Sequence, residues 1–551
     1  MTAPVGRGRG LAWRTLAWLL TLSTLLPIAV VLASIAADSD GVFAHIAATR
    51  LAAYAKNTIL LTFGAAVMTL ALGVPTAWLV TMCRFPGRWL LSILLLLPMA
   101  VPAYIAAYSV TDLLQPAGPF RASAIGEEGV HWWWPRVRSL PGAALILALC
   151  LYPYVYLAAR AAFMALPASL LDAAKTLGFG SVSSFVRVVV PVSAPTLGAG
   201  LLLVMMETVS DFGAVEYCAV DTFATGVYRA WATLGSPIAA AQLGSVVIGA
   251  VGVVLLIVAI LRGRRRFDAS GGRSQRPRPV ELRGVRALLA AVFCALPVLA
   301  GFVLPAGWLA FLAIDQGDQR ATELLVDHGL ATVLLSALAA VLVVGLGLVL
   351  VEAKRMARGW ATRVPARIGQ LGYAVPGTVL AVGLLIPLAW LDHRLNDVWG
   401  WLTGERLGLV LTGTIVAVLV GYQTRFMAVG VGLLRASLDR VPPRLDEAAT
   451  TLGCSSLRII GRIHLPMQLP PICAAMLLVF VDAAKELPMT LMLRPFGMDT
   501  LAVRVYQLAS DERLGEASTG ALAIVLVGLI PVIVLSRSMG VRTRSTLEVE
   551  R

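Results

Sequence analysis

Four carboxylates lie in apolar sequence with a repeated spacing: Glu207 and Asp211 are four residues apart, and so are Asp482 and Glu486. Residues four apart share a helical face. An ionisable group in a membrane-apolar stretch is costly enough that a functional role is the default reading. Hard carboxylate oxygens would suit a trivalent metal ion. The competing reading is local pairing, Asp482 with Lys485 for example, or a place near the outer helix ends. Other chemistry is sparse. Lys56, Lys175, Lys354 and Lys485 each follow alanine, so no Gly-Lys-Ser/Thr phosphate loop is present. Neither HExxH nor GxSxG occurs. His45, His131, His328, His393 and His464 are isolated and read as surface or packing residues, and the six cysteines show no CxxC spacing. The chain is therefore expected to hold no catalytic residue, no firm metal site and no cofactor.

The elements that position these groups are membrane helices. Of 551 residues 58% are hydrophobic and only 14% charged, and the mean hydropathy is +0.82. Twelve apolar stretches approach or exceed the roughly 20 residues that cross a hydrocarbon core, near 13–36, 57–82, 89–112, 141–166, 194–216, 237–261, 285–314, 329–351, 367–391, 408–434, 467–493 and 517–537. Backbone groups in lipid must be satisfied internally, so the expectation is an all-α integral membrane fold. Arg7, Arg9 and Arg14 precede Leu16 to Leu32, which reads as an uncleaved first span rather than a signal peptide. Pro98, Pro102 and Pro376 interrupt the third and ninth spans, as kinks, hinges or simple packing bends.

With the N-terminus in the cytoplasm, every basic cluster falls on that side, including Arg84/Arg88, Lys175/Arg187, Arg440/Arg444 and Arg537/Arg542. The opposite side receives Asp38/Asp40, Glu127/Glu128 and two tryptophan clusters, Trp132 to Trp134 and Trp399/Trp401, which read as interface anchors. The net charge of +14 and the arginines from Arg262 to Arg286 fit positive-inside topology better than nucleic-acid binding.

The sequence repeats itself. Asp172-Ala173-Ala174-Lys175-Thr176-Leu177-Gly178 recurs as Glu447-Ala448-Ala449-Thr450-Thr451-Leu452-Gly453, and 447 minus 172 is 275. Pro191 pairs with Pro466, Glu207 with Asp482 and Asp211 with Glu486 at the same offset; Val101-Pro102 pairs with Val375-Pro376 at 274. Two six-span halves, 1–261 and 287–551, are thus joined by the Arg/Pro/Gly-rich segment 262–286, expected to be a solvated tether. Six is even, so the repeats are parallel, and a pathway along their common axis follows. Between the fourth and fifth span of each half lies an expected short helix, a glycine turn and a second short helix, begun by Pro167 or Pro442/Pro443 and closed by Pro191 or Pro466. An amphipathic surface helix explains the arginines but not the duplicated acid-Ala-Ala-x-x-x-Gly; small alanines beside an acid suit docking into a partner's groove.

Glu447, Ala448, Ala449, Gly453, Ile463, Leu465 and Pro466 match a Glu-Ala-Ala, three residues, Gly, nine residues, Ile-x-Leu-Pro pattern that resembles the coupling loop of ABC importer permeases. The first half fits as Asp172, Ala173, Ala174, Gly178, Val188, Val190 and Pro191, with the shorter acid. The segments Glu207 to Trp231 and Lys485 to Arg504 look like those of fused ferric-iron permeases. The resemblance implies the type I transmembrane fold in a bacterial inner membrane, both termini cytoplasmic. It also implies two copies of a separate ATPase subunit that uses the ATP, a periplasmic substrate-binding protein and a lipid setting, with no nucleic acid. Related permeases carry thiamine, phosphonates or other anions, so cargo stays open, and an ion-coupled secondary transporter is the rival from another class.

Overall fold

A computed structural model describes residues 7–115, 136–263, 279–315, 321–357, 361–362, 364–365 and 369–547. Trp132 to Trp134, Glu127/Glu128 and most of the expected tether, 264–278, lie outside them.

Most of the described apolar residues are helical. The helices that matter below are α1 (Arg7–Ala33), α2 (Leu51–Met82), α3 (Ala103–Leu114), α4 (Leu140–Met164), α5 (Ala168–Thr176), α6 (Val190–Ser210), α7 (Gly213–Tyr217), α8 (Pro237–Gly263) and α9 (Val285–Val298). They continue as α10 (Leu330–Met356), α11 (Gly377–Thr403), α12 (Ile415–Leu438), α13 (Pro443–Thr451), α14 (Leu465–Ala484), α15 (Pro488–Leu493), α16 (Leu501–Ser510) and α17 (Leu514–Leu547). Among the described residues, eleven helices are long and apolar enough to span a bilayer; a bent pair, Arg88–Ala100 with Ala103–Leu114, makes a twelfth if counted as one span. The pair turns by 92° at Pro102, because proline lacks the N–H that would continue the ladder. Pro376 likewise stands just ahead of α11 rather than within it, so the ninth span begins ten residues later than the hydropathy suggests and runs on to Thr403.

The helices gather into two compact units. One comprises Met1–Thr49, Gly226–Gly249 and Arg320–Arg504; the other comprises Arg50–Thr225, Ala250–Gln319 and Val505–Arg551. The units cut across the 275-residue repeat: α1, from the start of the chain, packs on α10 and α11 of the second half. Gly383 permits that approach, since a Cβ there would run into the Pro27 carbonyl. Small residues serve in this way wherever helices must meet closely in lipid, where apolar burial gives no preference between partners.

In the second unit α4 is the central helix, packed on α2 and α6. Two of its tyrosines are fully buried and their hydroxyls find partners: Tyr152 donates to the Leu95 carbonyl at 2.8 Å and Tyr156 to that of Ser92 at 2.9 Å. Part of the expected tether is ordered here, since Val280–Glu281 pair in parallel with Cys83–Arg84 and α9 begins at Val285.

Candidate functional site: two duplicated loops with different anchors

Each repeated loop is built as its sequence demands. Pro167 and Pro442 stand at the N-terminal boundaries of α5 and α13. The helices end at Gly178 (φ 79°) and Gly453 (φ 78°), a left-handed conformation that costs glycine nothing. Phe179 N–H returns to the Ala174 carbonyl at 3.0 Å and Cys454 N–H to that of Ala449 at 3.0 Å, the same Schellman closure in both halves. The faces match as well. Asp172 and Ala173, like Glu447 and Ala448, are exposed, whereas Ala174 and Ala449 are buried against the protein. At each tip a leucine stands out, Leu177 75% and Leu452 83% exposed.

Pro191 and Pro466 do not close these loops. The second short helix passes through a five-residue π-turn, Phe185–Val189 or Ile460–His464, directly into α6 or α14. Val190 N–H bonds to the Phe185 carbonyl and Leu465 N–H to that of Ile460, so the wider turn absorbs the proline that follows without breaking the helix. A displacement of the loop is therefore carried straight into a membrane span.

What holds each loop to the membrane helices differs completely. In the first half, Trp78 of α2 meets Phe163 edge-on with ring centroids 5.6 Å apart and Phe185 of the π-turn at 4.8 Å. Leu170 and Leu171 of α5 and the buried Val189 complete this apolar cluster. In the second half the same places are polar. Trp78 and Thr81 correspond to Glu352 and Arg355 at the 274 offset, and Leu171 and Val189 to Asp446 and His464 at 275. Arg355 Nε donates to Asp446 at 2.7 Å, and its two terminal nitrogens donate to the carbonyls of Leu438 at 2.6 Å and Val441 at 3.0 Å. The His464 ring is completely buried. Nδ1 lies 2.8 Å from Glu352 and Nε2 2.9 Å from Asp446. Gln468 Nε2 donates to the other Glu352 oxygen at 3.1 Å. Burial alone would raise the Asp446 carboxyl, but hydrogen bonds from Arg355 and His464 hold it below the usual carboxylate range.

His464 is thus no isolated surface or packing residue. Its signal was available in the internal alignment: four polar residues replace four apolar or weakly polar ones together, in one half only. Isolation in sequence concealed it, because its partners are 18 and 112 residues away.

The four intramembrane acids do not share helical faces in pairs. α6 ends at Ser210 and α14 at Ala484, before Asp211 and Glu486. The Asp211 carboxylate accepts from Ala214 N–H at 3.0 Å and Val215 N–H at 3.2 Å, so it caps α7. Glu486 does the same for α15, accepting from Met489 N–H at 3.1 Å and Thr490 N–H at 3.0 Å, and it lies 3.7 Å from Arg425. An acid prefers a helix N-terminus to a C-terminus, and that preference ends the longer helix and begins the shorter one. Asp482 pairs with Lys485 at 2.8 Å, and Glu207 is half-buried on α6. No group of three or more His, Cys, Asp or Glu side chains gathers into a metal site among the described residues.

Eleven helices long enough to span a bilayer among the described residues, twelve with the bent pair, and two matched helix–glycine–helix loops feeding directly into membrane helices define a multi-pass membrane protein. The chain belongs to the family of binding-protein-dependent transport system inner membrane components, whose model matches residues 45–270 and 343–545, one segment in each half. It is similar to the Fe(3+)-transport system permease protein FbpB 2 of Haemophilus influenzae, 26% identical over 492 residues that cover 89% of this chain and 90% of that one. It is also similar to the ferric transport system permease protein FbpB of Actinobacillus pleuropneumoniae, 22% identical over 84% of this chain and 65% of that protein. A sulfate transport system permease protein of Salmonella typhimurium is 33% identical, but over 31% of this chain and 59% of its own length. The chain is an ABC importer permease of the fused, two-half type that resembles ferric-iron permeases.

Proposed function

We propose that this permease passes ferric iron across the bacterial inner membrane, driven by ATP that two copies of a separate ATPase subunit hydrolyse while docked on Asp172–Pro191 and Glu447–Pro466. The two halves, 1–261 and 287–551 joined through 262–286, then rock against one another as those subunits close. Both loops and both termini face the cytoplasm, which the basic clusters support, and a periplasmic binding protein delivers cargo on the other side. The observation that carries this reading is the matched pair of exposed tips. Ordinary surface helices have no reason to present an acid, an alanine and a protruding leucine at identical places 275 residues apart, each joined to a span by a π-turn.

Ferric iron is favoured as cargo because the Haemophilus influenzae relative named for it matches nearly end to end, and the Actinobacillus pleuropneumoniae one over most of this chain, whereas the sulfate relative matches a third of the chain. An anion such as sulfate is the second reading. The four carboxylates serve the outer half of the pathway, Asp211 and Glu486 by holding the short helices α7 and α15 in place. Reconstitution tests the whole: proteoliposomes containing the chain, its ATPase subunits and its binding protein should accumulate radioactive ferric iron only with ATP. Uptake without the ATPase subunits would refute the importer reading in favour of an ion-coupled transporter. Uptake of sulfate in place of iron would refute the cargo.

A further inference from the structure

We propose that Glu352, Arg355, Asp446 and His464 are positioning residues that tie the second loop to the membrane helices through one shared proton, so that this loop, and not the first, loosens as pH rises. The inference rests on the docking reading above and names a regulation of the same site.

The proton follows from hydrogen-bond valence. An ionised carboxylate only accepts, and a neutral imidazole donates from one nitrogen only. Both ring nitrogens of His464 face carboxylate oxygens, Glu352 at 2.8 Å and Asp446 at 2.9 Å. These two contacts are satisfied together only if the trio holds one proton more than a neutral ring with two carboxylates. Either the ring is an imidazolium, or one acid is protonated. The charged and polar groups facing the ring from the elements packed on it are Glu352 on α10, Asp446 on α13 and Gln468 on α14. Arg355 of α10 stands behind Asp446, and each of its terminal nitrogens donates to a carbonyl at the C-terminal end of α12 or just beyond it.

These four residues link three parts that must move as one: the exposed docking helix α13, the π-turn that ends at His464, and the span α10. When the proton leaves, one buried ring nitrogen is left with its lone pair against a carboxylate oxygen, and one of the two contacts must open. The sign follows: the linkage is complete at lower pH and is lost as pH rises through the value at which the shared proton dissociates. In the first half the corresponding residues are Trp78, Thr81, Leu171 and Val189, none of which titrates, so only one loop is sensitive.

Amide exchange on the full chain, in complex with its ATPase subunits, tests this with the first loop as internal reference. From about pH 6 to about pH 9, a scan that starts inside the ordinary histidine range and ends above it, protection of Pro443–Thr451 relative to Ala168–Thr176 should fall roughly tenfold, the size expected for one buried charged hydrogen bond. Glu352→Gln should abolish that fall. The Gln amide donates to Nδ1 of a neutral ring whose Nε2–H still donates to Asp446, so both contacts persist without the extra proton. Cargo moved per ATP should decline with pH in the unmodified protein and stay level in E352Q. His464→Gln, whose amide offers donors at one end and an accepting oxygen at the other where the ring faces an acid at each nitrogen, should be loose at every pH. A constant ratio of protection between the loops across pH, or an unchanged pH dependence in E352Q, would overturn the proposal. ATPase subunits that fail to co-purify with the unmodified chain would instead overturn the docking reading, with the exchange comparison still measurable.

Discussion

The two loops present the same surface and stand on different foundations. Asp172–Gly178 and Glu447–Gly453 match in fold, in exposure and in the glycine closure, while beneath them an aromatic cluster in one half answers to an ion-paired network in the other. What a partner would touch is duplicated, whereas what transmits its movement is not. Apolar packing is non-directional and tolerates small slides; a buried hydrogen-bonded charge network has one good geometry and fails when a member is missing. The second loop is accordingly the more rigid lever and the more fragile one.

The comparison breaks most sharply at Arg355. Arg355→Met removes a partly buried cation that holds Asp446 and two backbone carbonyls, and the loss of one partner from such a pair costs about 3–5 kcal/mol. Thermal unfolding in detergent should shift to lower temperature, and Pro443–Thr451 should become protease-sensitive while Ala168–Thr176 keeps its protection. Equal sensitivity of both loops would mean that the anchors are not separate. Next in size is Trp78→Ala. The indole is only partly buried, so the loss falls at the lower end of the range for aromatic truncation, about 3 kcal/mol. Here the first loop should loosen by the same readout, with no change in its dependence on pH. The smallest effects on stability belong to the exposed acids. Asp172, whose pairing with Lys175 at 3.3 Å is exposed to solvent, and Glu447 should each tolerate alanine within about 0.5 kcal/mol. Coupling separates them: Glu447→Ala should reduce cargo moved per ATP at least as much as Asp172→Ala, since the longer acid sits on the more rigid lever. A clearly larger loss for Asp172→Ala would reverse the assignment.

Much of this was legible in the sequence. Hydropathy located the spans, the main departures being the proline-broken third, the late-starting ninth and tenth, and the fifth and eleventh, whose helices stop early at Ser210 and Ala484. The 275-residue offset located both loops, because an acid, two alanines and a glycine at fixed spacing leave few folds open. The capping roles of Asp211 and Glu486 were not legible, since a four-residue spacing looks the same whether the helix continues or stops between the two acids. Nor was the continuity through Pro191 and Pro466, because a π-turn has no composition of its own.

By itself, the sequence determined that the chain lives in lipid, that it is a duplicated six-span unit and that each copy carries one acid-Ala-Ala-x-x-x-Gly helix. These follow from composition and periodicity, which act locally: each helix in a membrane satisfies its own backbone wherever it lies. Only the tertiary structure decided that α1 packs among helices of the second half, and that Glu352, Arg355, Asp446 and His464 meet. Lipid is as apolar as the helices it surrounds, so hydropathy cannot choose their neighbours. Close approach at residues such as Gly383, and hydrogen bonds between buried polar groups far apart in sequence, make that choice.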